Sequence, residues 1–238
     1  KKAEENHISL VNIPIRHLGT DNSPKIYENM EKYLEDSGVV ISTKSQVTDF
    51  IIEDGKINGV EYVCENIKHK VYSTTVISAV GRVGAKWLLD MCQKHQIKSV
   101  PGPIDIGIRY ELPDYIMKDV NKYMYEGKFF GKPLPFNDKV RTFCQNPSGY
   151  VSEEGYDGGL MLVNGHSYSN PKMSSYNTNL ALLVTLEIKG INPIEYVGHI
   201  VKNMNDLANG GILLQRFGDL KNGKRTWQEE LNRNSVKP

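Results

Sequence analysis

Several residues of this chain are of types that do chemistry. Arg16 and His17 stand together in the loop Arg16-His-Leu-Gly-Thr-Asp21. A guanidinium stabilises developing negative charge, and an imidazole carries protons near neutral pH. Cys144 lies in Thr142-Phe-Cys-Gln-Asn-Pro-Ser-Gly149. A thiol there can act as nucleophile or redox group if a nearby cation favours its thiolate. Arg141 is the one cation close to it in sequence. The turn Asn146, Ser148 and Gly149 can offer backbone N–H groups to a ligand. Arg109 alternates with Asp105 and Glu111, so the three share one strand face, and a guanidinium fits a substrate carboxylate. Asn164, His166 and Ser167 are suited to line a substrate pocket. Plainer readings stand beside each of these: a surface ion pair for Arg16, loop packing for His17, a buried inert Cys144, a salt-bridged face around Arg109, and ordinary turn or loop residues for the rest.

The elements that must position these groups come in two lobes, 1–98 and 99–238. In the first, Pro24 and the residues just before it predict a helix start, with Ile26, Met30, Tyr33 and Leu34 at helical spacing and Gly38 as its stop. Val39-Val-Ile-Ser42 reads as a short strand. Residues 47–53 and 57–63 read as a hairpin around the Asp54-Gly55 turn. A final buried strand, Tyr72-Ser-Thr-Thr-Val-Ile-Ser-Ala-Val-Gly-Arg82, ends at a glycine that allows close backbone approach to a ligand. In flavin- and nicotinamide-dependent oxidoreductases such a strand ends beside the dinucleotide, which makes Ala79, Gly81 and Arg82 cofactor-binding candidates. Residues 85–95 read as a helix. In the second lobe, 104–111, 141–151, 158–164 and 180–188 are expected strands, 113–125 and 193–207 expected helices, and 127–137 an expected loop. The predicted fold class is α/β in the broad sense (α+β): part of a two-dinucleotide-binding flavoprotein domain with its β-meander, plus a mainly antiparallel substrate-side lobe.

Composition narrows the function classes. The chain has 238 residues, a formal charge of +1, 39% hydrophobic and 24% charged residues. It can bury a core, and it has no basic run for nucleic acid or an anionic membrane. No apolar stretch reaches the roughly 20 residues of a spanning helix. Three cysteines, Cys64, Cys92 and Cys144, are odd in number and far apart. That speaks against a disulfide framework or a cysteine metal site and suits the cytoplasm. No metal-ligand spacing is seen among six histidines.

The order of the local patterns adds a resemblance. Arg16-His-Leu-Gly-Thr-Asp21, the meander ending in Ala79-Val-Gly81, Ile106-Gly-Ile-Arg-Tyr-Glu111, Thr142-Phe-Cys-Gln-Asn-Pro-Ser-Gly-Tyr-Val151 and Val163-Asn-Gly-His-Ser167 follow one another. The chain resembles an uncharacterised bacterial family of FAD-dependent dehydrogenases over most of its length. The resemblance implies an FAD-dependent oxidoreductase acting on a small-molecule substrate. It places Arg16 and His17 near the flavin ring and Val47 against the adenine, although a β-branched strand residue needs no ligand. Where the family reads Cys-x-Cys-Pro-Gly-Gly, this chain reads Cys144-Gln-Asn-Pro-Ser-Gly149, which puts a dithiol role in doubt.

A Gly-x-Gly-x-x-Gly fingerprint, which holds a pyrophosphate on a helix N-terminus, is absent. The expectation is therefore an internal piece of a larger flavoprotein, flavin-free and inactive alone, whose partners are the remaining segments of that protein. A non-enzymatic ligand- or partner-binding domain is the competing class. A nicotinamide-dependent reductase is weaker, because no second glycine-rich turn occurs.

Overall fold

The computed structural model describes residues 3–100, 102–186 and 190–233. The end of the expected 180–188 strand and of the C-terminal segment lie outside these residues. The elements are β1 (Ile8–Asn12), α1 (Ser23–Asp36), β2 (Ser45–Glu53), β3 (Lys56–Cys64), β4 (Ile67–Tyr72), α2 (Ala85–Lys94), β5 (Ile104–Pro113), α3 (Asp114–Asn121), β6 (Gly127–Gly131), β7 (Val140–Asn146), β8 (Tyr150–Tyr156), β9 (Leu160–His166), β10 (Asn177–Leu186), α4 (Pro193–Leu207), α5 (Phe217–Lys221) and α6 (Gln228–Arg233). The fold is α+β with antiparallel sheets.

Two compact units divide the chain: 27–101, and 1–26 with 102–238. The first unit is the meander β2-β3-β4 with α2. Its turns are encoded locally. Asp54 and Gly55 have φ of 47° and 72°, and Glu65 and Asn66 have 50° and 64°. Two-residue hairpin loops need positive φ at both central positions, and Asp, Asn and Gly supply it at least cost. Accordingly Glu53 pairs with Lys56, and Cys64 with Ile67.

Asp49 and Phe50 on β2 fasten α2 to this sheet. Asp49 accepts from His95 Nε2 at 2.7 Å, from the Phe50 N–H at 2.9 Å, and from Lys94. Phe50 packs on the rings of Trp87 and His95. Burial pushes the Asp49 carboxyl up, but the bonds from Lys94, His95 and Phe50 outweigh it and leave it below the usual range.

Two expected strands are absent. Residues 39–42 and 73–80 carry no strand, so the meander does not close on a strand ending at Gly81. Both segments are rich in β-branched residues, yet Val40 is 87% and Ile77 88% exposed. Strand propensity reflects packing against paired neighbours, and no strand pairs with these segments among the described residues.

The second unit holds a five-stranded sheet in the order β1-β6-β7-β10-β5. The N-terminal segment, expected with the meander, belongs here because β1 pairs antiparallel with β6 from Ile8↔Gly131 to Asn12↔Gly127. Residues 127–131 were expected to be loop; Phe129 and Phe130 favour the strand, and pairing with Leu10 and Ser9 outweighs the flanking glycines. β8 and β9 form a separate hairpin. Leu180, Ala181 and Val201 are the buried hydrophobic residues among those described. Leu180 and Ala181 sit on β10, between β7 and β5.

An Asp49→Asn exchange removes the charge shared by Lys94 and His95, and is expected to destabilise the 27–101 unit by about 1.5–3 kcal/mol. Urea unfolding followed by Trp87 fluorescence, in a Trp227→Phe background, checks this. An unchanged midpoint would show that α2 is held by ring packing alone.

Candidate functional site

The polar groups of the second unit converge where β7 meets β10. The register between them slips: Asn179 faces Asn146, but Ala181 faces Phe143. Cys144 and Gln145 therefore oppose Leu180 alone, which is a β-bulge. Cys144 adopts φ 48°, uncommon for a non-glycine residue. Its N–H donates to Glu126 Oε1 at 3.1 Å. Its carbonyl accepts from Arg109 Nη2 at 2.7 Å and from Asn146 Nδ2 at 2.9 Å.

Arg109 is half-buried on β5. Its Nε and Nη2 donate to Asn179 Oδ1 at 2.9 and 2.6 Å. It forms no ion pair among the described residues. Asp105, on the same strand face, pairs instead with Arg141 and accepts from Thr185. Glu126 pairs with Lys128 at 3.2 Å. Burial lowers the Arg109 guanidinium below its ordinary value, opposed by Cys144 and Glu126. The expected salt-bridged face around Arg109 is thus replaced by neutral acceptors. Gly165 on β9 makes room for this: a Cβ there would lie 2.0 Å from Arg109 Nη2 and 2.2 Å from Asn179 Oδ1.

Asn146 and Asn179 are fully buried. Asn146 Oδ1 and Asn179 Nδ2 have no hydrogen-bond partner. Turning either amide over does not help. A flipped Asn179 would set its NH2 against the Arg109 donors, and a flipped Asn146 would set its oxygen against the Cys144 carbonyl. An unmet buried polar group costs about 1–3 kcal/mol, so the cluster carries a cost that its own hydrogen bonds do not remove.

The remaining candidates fall around and away from this cluster. Ser148 is bound to α3: its N–H and Oγ donate to Asp114 at 3.1 and 2.6 Å. The Gly149 N–H returns to the Asn146 carbonyl. The turn at 146–149 therefore spends these N–H groups on the fold. His166 contacts Thr20 Oγ1 at 3.4 Å and packs on Tyr150 and Tyr168. Asn164 is exposed and donates to Glu154. His17 stacks on Tyr125, 5.8 Å between ring centres, and its Nδ1 accepts from the Gly19 N–H. Tyr125 in turn hydrogen-bonds Ser167. Arg16 is exposed. Arg16, His17 and 146–149 all belong to one unit, not to the separate lobes 1–98 and 99–238 that were expected.

Val47, Ala79, Gly81 and Arg82 belong to the other unit. Val47 pairs with Tyr62 on the meander. Ala79 and Gly81 line an open apolar hollow of about 400 Å³ with Leu88, Leu89 and Cys92. No group of three or more metal-ligating side chains occurs among the described residues. None of the described helices is long and apolar enough to cross a membrane.

Sequence reasoning missed Asn179, Gln145, Glu126 and Asp114. The signal for Asn179 was present: Asn177-Thr-Asn179 opens an otherwise apolar strand. Thr178, Asn179 and Gln145 are almost completely buried, and Gln145 Nε2 bonds Asn121 Oδ1 at 2.7 Å.

No family model matches the chain. An "Uncharacterized protein" of Clostridium beijerinckii is 24% identical over 199 residues, covering 75% of this chain and 34% of its own length. The chain thus spans about a third of that relative.

Burial pushes the Glu111 carboxyl up, partly offset by a hydrogen bond from Asn177. A raised acid favours folding while protonated; that contribution is complete below the unfolded carboxyl range, near 4.3, and is lost as pH rises through the folded value. Because the carboxylate is still partly in water, which screens the effect, Glu111→Gln is expected to raise stability at pH 8 by no more than about 0.5 kcal/mol, with the gain vanishing near pH 4. Melting curves at the two pH values check this, and equal curves at pH 8 would refute it.

Proposed function

We propose that this chain is the meander and substrate-side portion of an FAD-dependent oxidoreductase. The observation that carries the reading is the convergence of Arg109, Cys144 and Asn146 into one polar cluster with a half-buried cation lacking an ion partner. Stability alone is served by apolar filling or complete pairing at such a place. Unmet polar groups in one cluster suit a site that acts on a ligand.

FAD would supply the electron chemistry, and the protein the positioning and local charge. In this reading Val47, Ala79, Gly81 and Arg82 serve the cofactor. Arg109, Asn164 and His166 would contact the small-molecule substrate, while Asn146, which is buried, and Ser148, which is bound to Asp114, would support the site from behind. Arg109, rather than Arg141, is the cation joined to the Cys144 backbone; Arg141 lies over the Phe143 ring, 5.1 Å from its centre. All three cysteines are free, which suits a cytoplasmic protein.

A non-enzymatic partner-binding domain is the second reading. It is favoured by the uncovered apolar face of α1, where Tyr27 is 66% and Tyr33 71% exposed.

The test is spectroscopic. A longer polypeptide containing this chain is expected to purify with visible flavin absorption, or to gain it on reconstitution with FAD. The 238-residue chain alone should stay colourless. A longer polypeptide that takes up no FAD would sink the oxidoreductase reading and leave the binding domain.

A further inference from the structure

The polar cluster on β5, β7 and β10 has an imbalance of charge that specifies a ligand. Arg109 is half-buried and positive, yet its contacts are neutral: Asn179 Oδ1 and the Cys144 carbonyl. Those contacts use Nε and Nη2 and leave Nη1 outside them. On the side chain that Arg109 binds, Asn179 Nδ2 is a fully buried donor with no acceptor. A cationic donor outside the internal hydrogen bonds and a buried unpartnered donor thus lie on adjoining side chains. A charge taken from water without a counter-ion is costly unless something else neutralises it. Nearby carboxylates answer it only in part: Asp105 holds Arg141, and Glu126, whose charge favours the guanidinium without an ion pair to it, is bound to Lys128 and the Cys144 N–H.

We propose that Arg109 Nη1 is the anchor of an oxyanion site, taking the carboxylate of a small anionic substrate. Asn179 is its positioning residue: its Oδ1 takes Nε and Nη2 and so fixes the plane of the guanidinium. Gly165 belongs to the same device, because any side chain there would displace the guanidinium. Calling this ligand the substrate rests on the oxidoreductase reading; the anion site itself does not.

Phenylglyoxal modification of the full 238-residue chain, mapped by peptide mass spectrometry, tests it without flavin. Arg109 is expected to react slowly, and sodium glycolate at millimolar concentration to slow it at least tenfold while Arg141 is unaffected. Inorganic phosphate forms a second arm. Protection by glycolate alone supports the carboxylate; equal protection by phosphate supports the oxyanion site but overturns the carboxylate as its specific ligand. Asn179→Asp supplies an internal counter-ion of nearly the same shape, and should abolish the protection. The proposal is overturned if Arg109 never reacts, if neither anion protects it, if Arg141 is protected equally, or if Asn179→Asp is protected like the wild type. Any of these leaves the flavin test untouched, and a failed flavin test leaves this one standing.

Discussion

A guanidinium drawn partly out of water must be given oxygen atoms to bind, and much of the larger unit is arranged around that demand. Arg109 takes its oxygens from Asn179 on β10 and from the Cys144 carbonyl on β7. For the carbonyl to serve, the β7–β10 register slips and Cys144 turns to positive φ. For the guanidinium to fit, β9 passes over it with no side chain at Gly165. The three neighbouring strands are thus constrained at one point by one cation. None of these features is needed for an apolar sheet core, which Leu180 and Ala181 supply.

The polar rows of the fold serve this point at second hand. Asp114, at the start of α3, collects Ser148 and Thr178 and so ties the 146–149 turn to the entry of β10. Gln145 ties the other side of the bulge to Asn121 and to the start of β6. Buried amides and hydroxyls of this kind fix a register where hydrophobic packing alone tolerates slippage. The meander unit uses a different device: one carboxylate, Asp49, gathers a cation, an imidazole and a backbone N–H.

Local signals were legible in the sequence, and pairing partners were not. The Asp54-Gly55 turn, the helices and the alternation around Arg109 follow from side-chain period and turn chemistry. Gly38 and Gly81 also have positive φ. The strands expected at 39–42 and 73–80 failed because composition reports how a residue would pack, not whether a neighbour is present. β6 was missed for the converse reason: its glycines spoke for a loop, and only β1, far away in sequence, makes it a strand. At the site, Arg109, Cys144 and Asn146 were singled out by residue type and do meet. Asn179 had a signal, a polar residue opening an apolar strand, but its role of holding Arg109 across a ladder depends on pairing that the sequence does not show.

The discontinuous unit has a consequence for how the chain is assembled. In the meander every hairpin closes a loop of two residues, Asp54-Gly55 or Glu65-Asn66, so its entropy of closure is small. β1 must instead find β6, with the whole 27–101 unit between them. Long-range pairing of this kind is the slow kind, since closure is charged before contacts reward it. On a ribosome, β1 emerges more than a hundred residues before its partner and stays unpaired in the meantime. β1 is therefore made well before it can pair, and during that interval its edge offers unpaired N–H and C=O groups to other strands.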